Sequence, residues 1–250
     1  MSALIHAWPT TLAAFLASTV EFVEALTVVL AVGVVRGWRG AIAGTSVALA
    51  CLAAVVIVLG PLLTRLPIGP LQLAVGTLLV LFGMRWLRKA VLRSAGVIPL
   101  HDEAAAFAKT SAALRGTAPG GTAWDAVAVG TAFEITMLEG LEVVFIVVAM
   151  GAGGPQLLLP AAAGALAALV LVVAVGIAVH GPLSTVPENA LKFGVGVLLS
   201  GFGTFWIGEG IGLDWPGADL SIVWLCLGFL AVALALVPVC RPAARAADAA

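Results

Sequence analysis

The chain has 250 residues, of which 62% are hydrophobic and only 10% charged, and its formal net charge is −1. No soluble domain needs that composition, so the chain reads as an all-α membrane protein that crosses the bilayer several times. A near-neutral charge also gives no ground for a nucleic-acid partner.

Seven apolar runs are long enough to cross about 30 Å of hydrocarbon at 1.5 Å per residue. They cover residues 11–35, 41–63, 71–92, 124–150, 157–180, 190–211 and 220–239. The first is too long for a signal-peptide core and no Lys or Arg precedes it, so it is expected to be retained. With the N-terminus outside, eleven of the twelve Lys and Arg fall on the inner side and only Arg65 outside, which orients the chain N-out and C-in. Trp8, Trp38, Trp86, Trp124, Trp215 and Trp224 lie near span ends, where an aromatic belt would place them. Between the third and fourth runs, His101-Asp102-Glu103 and the Ala-rich stretch to Leu114 predict a short surface helix with acids at its start. Pro119-Gly120-Gly121 reads as a joint, and the segment from Arg241 as an irregular tail. Cys51, Cys226 and Cys240 follow no ligand spacing and suggest no disulfide framework.

The two halves match each other. Ala14-Phe15 aligns with Ala132-Phe133 at an offset of 118, which also sets Glu21 on Glu139 and Glu24 on Glu142. Gly60-Pro61-Leu62 matches Gly181-Pro182-Leu183, while Gly76, Phe82-Gly83 and Trp86 match Gly196, Phe202-Gly203 and Trp206 at an offset of 120. One three-helix unit therefore occurs twice, followed by a seventh helix. The boundaries are 1–92 for the first unit, 93–123 for a cytosolic linker, 124–212 for the second unit, and 213–250 for the last helix and tail. Because three is odd, the second copy enters the membrane from the opposite side. Inverted repeats of this kind build secondary transporters with a site near the midplane.

Both copies share a pair of acids inside an apolar run: Glu21 with Glu24, and Glu139 with Glu142, with Glu134 just upstream of the second pair. A charge at the bilayer centre costs roughly 2.5–3.5 kcal/mol, so these acids oppose insertion by on the order of 10 kcal/mol unless something compensates. Residues three apart share a helix face, so each pair presents two carboxylates to one place, and crossing helices would bring four together. Glu134 lies about 140° around the helix from Glu139, toward an entrance, and Leu16 holds its place in the first copy. The acids can be neutralised by protons or by a bound cation, and that competition is the chemistry of a proton-linked cation carrier. The donors are all oxygen, with Thr27, Thr131 and Thr136 as supplements, which suits hard ions such as iron, manganese, calcium or magnesium. The bland alternative is a set of protonated acids that hydrogen-bond between helices. It explains a single buried Glu better than a duplicated pattern.

At residues 138–148, Leu-Glu-Gly-Leu-Glu-Val-Val-Phe-Ile-Val-Val, the chain resembles the oxidase-dependent iron permease family, whose Arg-Glu-Gly-Leu-Glu motif lies in the first and fourth of seven helices. The resemblance implies that Glu139 and Glu142, with Glu21 and Glu24, bind iron in transit, and that a surface oxidase is a partner. Leu138 and Val20 stand where the motif has Arg, and Phe22-Val23 replaces Gly-Leu in the first copy. Glu21-x-x-Glu24 with the basic turn Arg36-Gly-Trp-Arg39 is also similar to a family of calcium/manganese–proton antiporters, whose Glu-x-Gly-Asp motif ends in Asp where this chain has Glu. As a whole the chain is similar to a bacterial membrane-protein group related to these transporters, which implies the inner (plasma) membrane.

The expectation is thus a secondary transporter of a hard metal cation, iron first and manganese or calcium exchange for protons second. It holds no tightly bound cofactor, and its partners are the bilayer, the ion and an oxidase or a second copy of the chain. An exporter of a small organic cation stays open. An enzyme is disfavoured, since no His-containing metal motif and no Ser nucleophile beside a base is present.

Overall fold

The computed structural model describes residues 2–63, 67–116, 124–151, 155–179 and 188–247. Among these the elements are all helical: α1 (Ser2–Arg36), α2 (Trp38–Leu63), α3 (Ile68–Ser94), α4 (Glu103–Arg115), α5 (Ala126–Gly151), α6 (Pro155–Val179), α7 (Glu188–Gly210), a 3-10 turn at Ala218–Leu220, and α8 (Ser221–Ala247). Each apolar run of the sequence falls on one long helix. Six of them (α1, α2, α3, α6, α7 and α8) are long and apolar enough to cross a membrane, so the chain is a multi-pass membrane protein. The remaining run is α5, a continuous 26-residue helix that carries Glu134, Glu139 and Glu142. Arg65, Pro119-Gly120-Gly121, His180 and Gly181-Pro182-Leu183 lie outside the described residues.

Contacts divide the chain into two compact units. The first takes Met1–Leu62, Asp102–Val148 and Leu159–Val186, which hold α1, α2, α4 and most of α5 and α6. The second takes Leu63–His101, Ala149–Leu158 and Pro187–Ala250, which hold α3, α7 and α8.

In the first unit, helices meet where a side chain would not fit. A Cβ on Gly44 of α2 would strike the Val129 carbonyl oxygen and the Phe133 amide of α5. A Cβ on Gly164 of α6 would strike the Thr11 carbonyl oxygen and the Phe15 amide of α1. Thr11 and Phe15 are the residues that the offset of 118 pairs with Val129 and Phe133, so the two contacts are the same contact made twice. The chain reverses between α1 and α2 at Gly37, whose φ of +104° suits only glycine.

An ion pair ties the end of α1 to the start of α5. Arg36 Nη1 donates to Asp125 Oδ2 at 3.0 Å, and the two side chains are only 5% and 13% exposed. The other oxygen, Asp125 Oδ1, caps α5 by accepting from the Val127 and Ala128 amides at 2.9 and 3.3 Å. Asp125→Ala removes a buried ion pair and a helix cap together, so it is expected to destabilise the protein by about 3 kcal/mol or more. A melt of the detergent-solubilised protein tests this. Asp125→Asn, which keeps a capping oxygen but not the charge, should lose less.

The linker helix α4 forms where the sequence placed it. Asp102 caps it, its Oδ1 accepting from Ala104 and Ala105 at 2.8 and 3.2 Å. It is more than a surface linker, however. Glu103, Ser111 and Leu114 are buried along one face, and Leu114 joins Val32, Ala41, Ala128 and Ala132 in an apolar cluster.

In the second unit, α3 and α7 pack along glycines that again come in matched sets. Gly76 faces the Gly203 oxygen and the Ile207 amide, while Gly196 faces the Gly83 oxygen and the Leu87 amide. Gly83 faces the Ser200 amide and Gly203 the Val80 amide. Every partner in one set lies 120 positions from its counterpart in the other.

Two expectations are corrected here. Trp86 does not sit in an interfacial belt: it is 3% exposed, with Lys192 Nζ 5.6 Å from its ring centroid. Burying the indole against α7 outweighs interfacial exposure, and the ammonium lies over its π face. Trp8, Trp38, Trp124 and Trp224 are exposed. The tail from Arg241 is not irregular either, since α8 continues through it to Ala247. Arg and Ala are strong helix formers, and they outweigh the local polarity.

Candidate carboxylate site

α1 and α5 bring three of the five candidate acids together. Glu21, Glu24 and Glu139 each place a carboxylate oxygen within 4.8 Å of the others. Glu21 is buried at 1% exposure, and Glu24 and Glu139 are half-buried. The i, i+3 spacing makes Glu21 and Glu24 neighbours on α1. Close glycine contacts seat α5 against α2 and α1 against α6 in the same unit.

Glu142 is half-buried and falls outside this group of three, so the expected convergence of four carboxylates becomes three. Glu134 is exposed and also stands apart. The residue at the place of the motif arginine, Leu138, is 56% exposed. Gly140 serves close packing, not a helix break: a Cβ there would strike Leu52 of α2, and α5 runs through it unbroken.

Hydroxyl residues flank the acids along both helices. Ser18 and Thr27 of α1 are 0% and 1% exposed, and neither hydroxyl has a hydrogen-bond partner among the described residues. Ser18 lies one turn before Glu21, and Thr27 follows Glu24 by the same spacing, so the order along α1 is hydroxyl, acid, acid, hydroxyl. On α5, Thr136 precedes Glu139 by the same three residues, and its Oγ1 lies 3.5 Å from Thr45 Oγ1. Ser18 was legible as a candidate. The offset that aligns the acid pairs also sets it on Thr136.

A cavity of about 710 Å³ lies in the same unit. Its wall includes Phe22 and Ala25, sequence neighbours of Glu21 and Glu24, and Gly140, next to Glu139. Among the described residues of that wall, Thr45 and Thr136 carry the hydroxyls, beside apolar groups such as Trp38, Ile42 and Val172.

Three ionised carboxylates within 4.8 Å of one another repel by roughly 3–4 kcal/mol per pair at an effective dielectric near 20. The sum, on the order of 10 kcal/mol, is comparable to the whole stability of a domain. Protons or a bound cation would relieve that repulsion. Oxygen donors alone suit a hard ion of charge two or three. No protein-family model, no curated protein and no solved structure matches this chain.

Proposed function

We propose that the protein is a secondary transporter of a hard metal cation, built from two inverted three-helix units and a seventh span, with its N-terminus outside and C-terminus inside a bacterial inner membrane. The observation that carries the reading is the meeting of Glu21, Glu24 and Glu139 within 4.8 Å, where α1, long and apolar enough to cross a membrane, meets α5. The matched contacts at Gly44 and Gly164, and at Gly76 and Gly196, support the duplicated units. Units of three spans each face opposite ways. Iron is the first choice of cargo, on the resemblance of the second acid motif, and manganese or calcium in exchange for protons is the next. Glu142 and Glu134 would serve along the path rather than in the group of three.

Flux into proteoliposomes, with Fe, Mn and Ca offered in turn across a set pH gradient, tests the reading. The expected result is flux of one metal that the Glu21→Gln/Glu139→Gln protein lacks. Dependence on an opposing proton gradient marks an antiporter, and indifference to it a permease. Folded protein that moves none of the three metals would overturn the reading.

One observation favours a second reading, a small organic cation. The 710 Å³ cavity is of ligand size and apolar, and Phe22 and Trp38 in its wall offer π faces to a cation. Competition decides between them. A quaternary ammonium ion that blocks metal flux with a wild-type cavity, but not with Phe22→Ala, would favour the organic cargo.

A further inference from the structure

The helix contacts of the unit that holds the site are duplicated, but the site is not. Gly44 and Gly164 make the same contact with matched partners. Within that unit the carboxylate group takes both acids of the first pair and one acid of the second. The neighbouring hydroxyls are uneven in the same sense. Ser18, beside the engaged pair, is 0% exposed and its hydroxyl has no partner among the described residues, whereas the matched Thr136 is turned toward Thr45 at 3.5 Å. A buried hydroxyl without a partner costs free energy, so Ser18 Oγ marks the engaged side as the one prepared for a ligand.

When two alike units carry an uneven site, exchanging their roles gives a second arrangement built from equivalent contacts and of similar energy. Under the offset of 118, Glu21 becomes Glu139, Glu24 becomes Glu142, and Glu139 becomes Glu21. The group Glu21, Glu24 and Glu139 thus maps onto Glu139, Glu142 and Glu21. For inverted units, the exchange also turns a site open to one face of the membrane into one open to the other.

We infer that the cation passes between two overlapping three-carboxylate sites. Glu21 and Glu139 hold it throughout, while Glu24 holds it in the described arrangement and Glu142 takes its place in the opposite-facing one. This rests on the transporter reading above. It gives Glu142 a role that its position outside the described group would otherwise deny it, and it makes the four acids unequal: two constant ligands and two that alternate.

The test uses full-length protein in proteoliposomes of known orientation and Mn²⁺ as the probe, with half-saturation of Mn²⁺ flux measured separately from each face. Groups that merely orient a metal's ligands cost about 10–100-fold in affinity when removed, so losing a ligand should cost at least about tenfold. Glu24→Gln is expected to raise half-saturation at least about tenfold from one face and to leave the other within about threefold. Glu142→Gln should do the reverse, and Glu21→Gln or Glu139→Gln should weaken both faces. Glu24→Asp and Glu142→Asp keep the charge and shift it by one methylene. They should show the same sidedness more weakly, and they serve where a Gln variant does not fold. Equal effects of Glu24 and Glu142 substitutions on both faces, or no effect of Glu142→Gln on either, would overturn the alternation while leaving the transporter reading intact. Wild-type protein that binds and moves no Mn²⁺, Fe or Ca would overturn both.

Discussion

Glu21→Gln is expected to reduce metal flux to the background of empty liposomes while the protein still inserts and purifies at normal yield. Glu21 is the most buried of the three acids, and Glu24 and Glu139 both reach it. The amide keeps the size of the side chain and loses a charged donor. In metal-free protein with the acids ionised, removal of the Glu21 charge also abolishes two of the three repulsions within the group, roughly 3–4 kcal/mol for each pair at these separations. The variant should therefore be at least as stable as wild type. Stability that rises or holds while flux vanishes distinguishes a ligand from interhelical glue, because a residue serving as glue would lower the melting temperature when replaced. Retained flux in Glu21→Gln would remove this acid from the path.

The second large effect is expected at Gly203. Even a methyl group there would lie 2.7 Å from the Gly76 oxygen and 2.7 Å from the Val80 amide, so the obstacle is backbone, which cannot turn aside. Gly203→Ala must force α3 and α7 apart, at about 1–3 kcal/mol for ordinary overpacking and more where backbone is displaced. Gly203→Leu should leave little monodisperse protein. Gly194 is the control: it lies on the same helix, and nothing stands within 4 Å of its Cβ position. Gly194→Ala should match wild type in a detergent melt, or exceed it slightly through helix propensity. Equal behaviour of the two alanine variants would contradict the packing account.

Much of this architecture is local chemistry and can be read along the chain. Long apolar runs become long helices because a backbone in hydrocarbon must satisfy its own hydrogen bonds. Asp102 caps α4 because a short carboxylate can reach the free amides of the first turn. The glycines of α3 and α7 repeat at one offset, and their contacts repeat with them.

What the sequence left open depends on faces and distant partners. Four motif acids are equivalent in spacing, yet only three meet, because which acid reaches the group depends on the rotation of α5 against α1. A tryptophan near a helix end suits an interface or a core equally well. Trp86 goes to the core because α7 and Lys192 cover it. The pairing of Arg36 with Asp125 likewise depends on two helix ends meeting in space. Hydropathy sees neither rotation nor partner.

The most direct test of the central claim is equilibrium binding of Mn²⁺ to the purified protein, followed by loss of the free-ion paramagnetic resonance signal. The carboxylate group predicts one ion per chain in wild type, competed by protons as pH falls, and no binding in the Glu21→Gln/Glu139→Gln protein. Binding that survives the double substitution, or the absence of any bound ion in folded wild type, would contradict it.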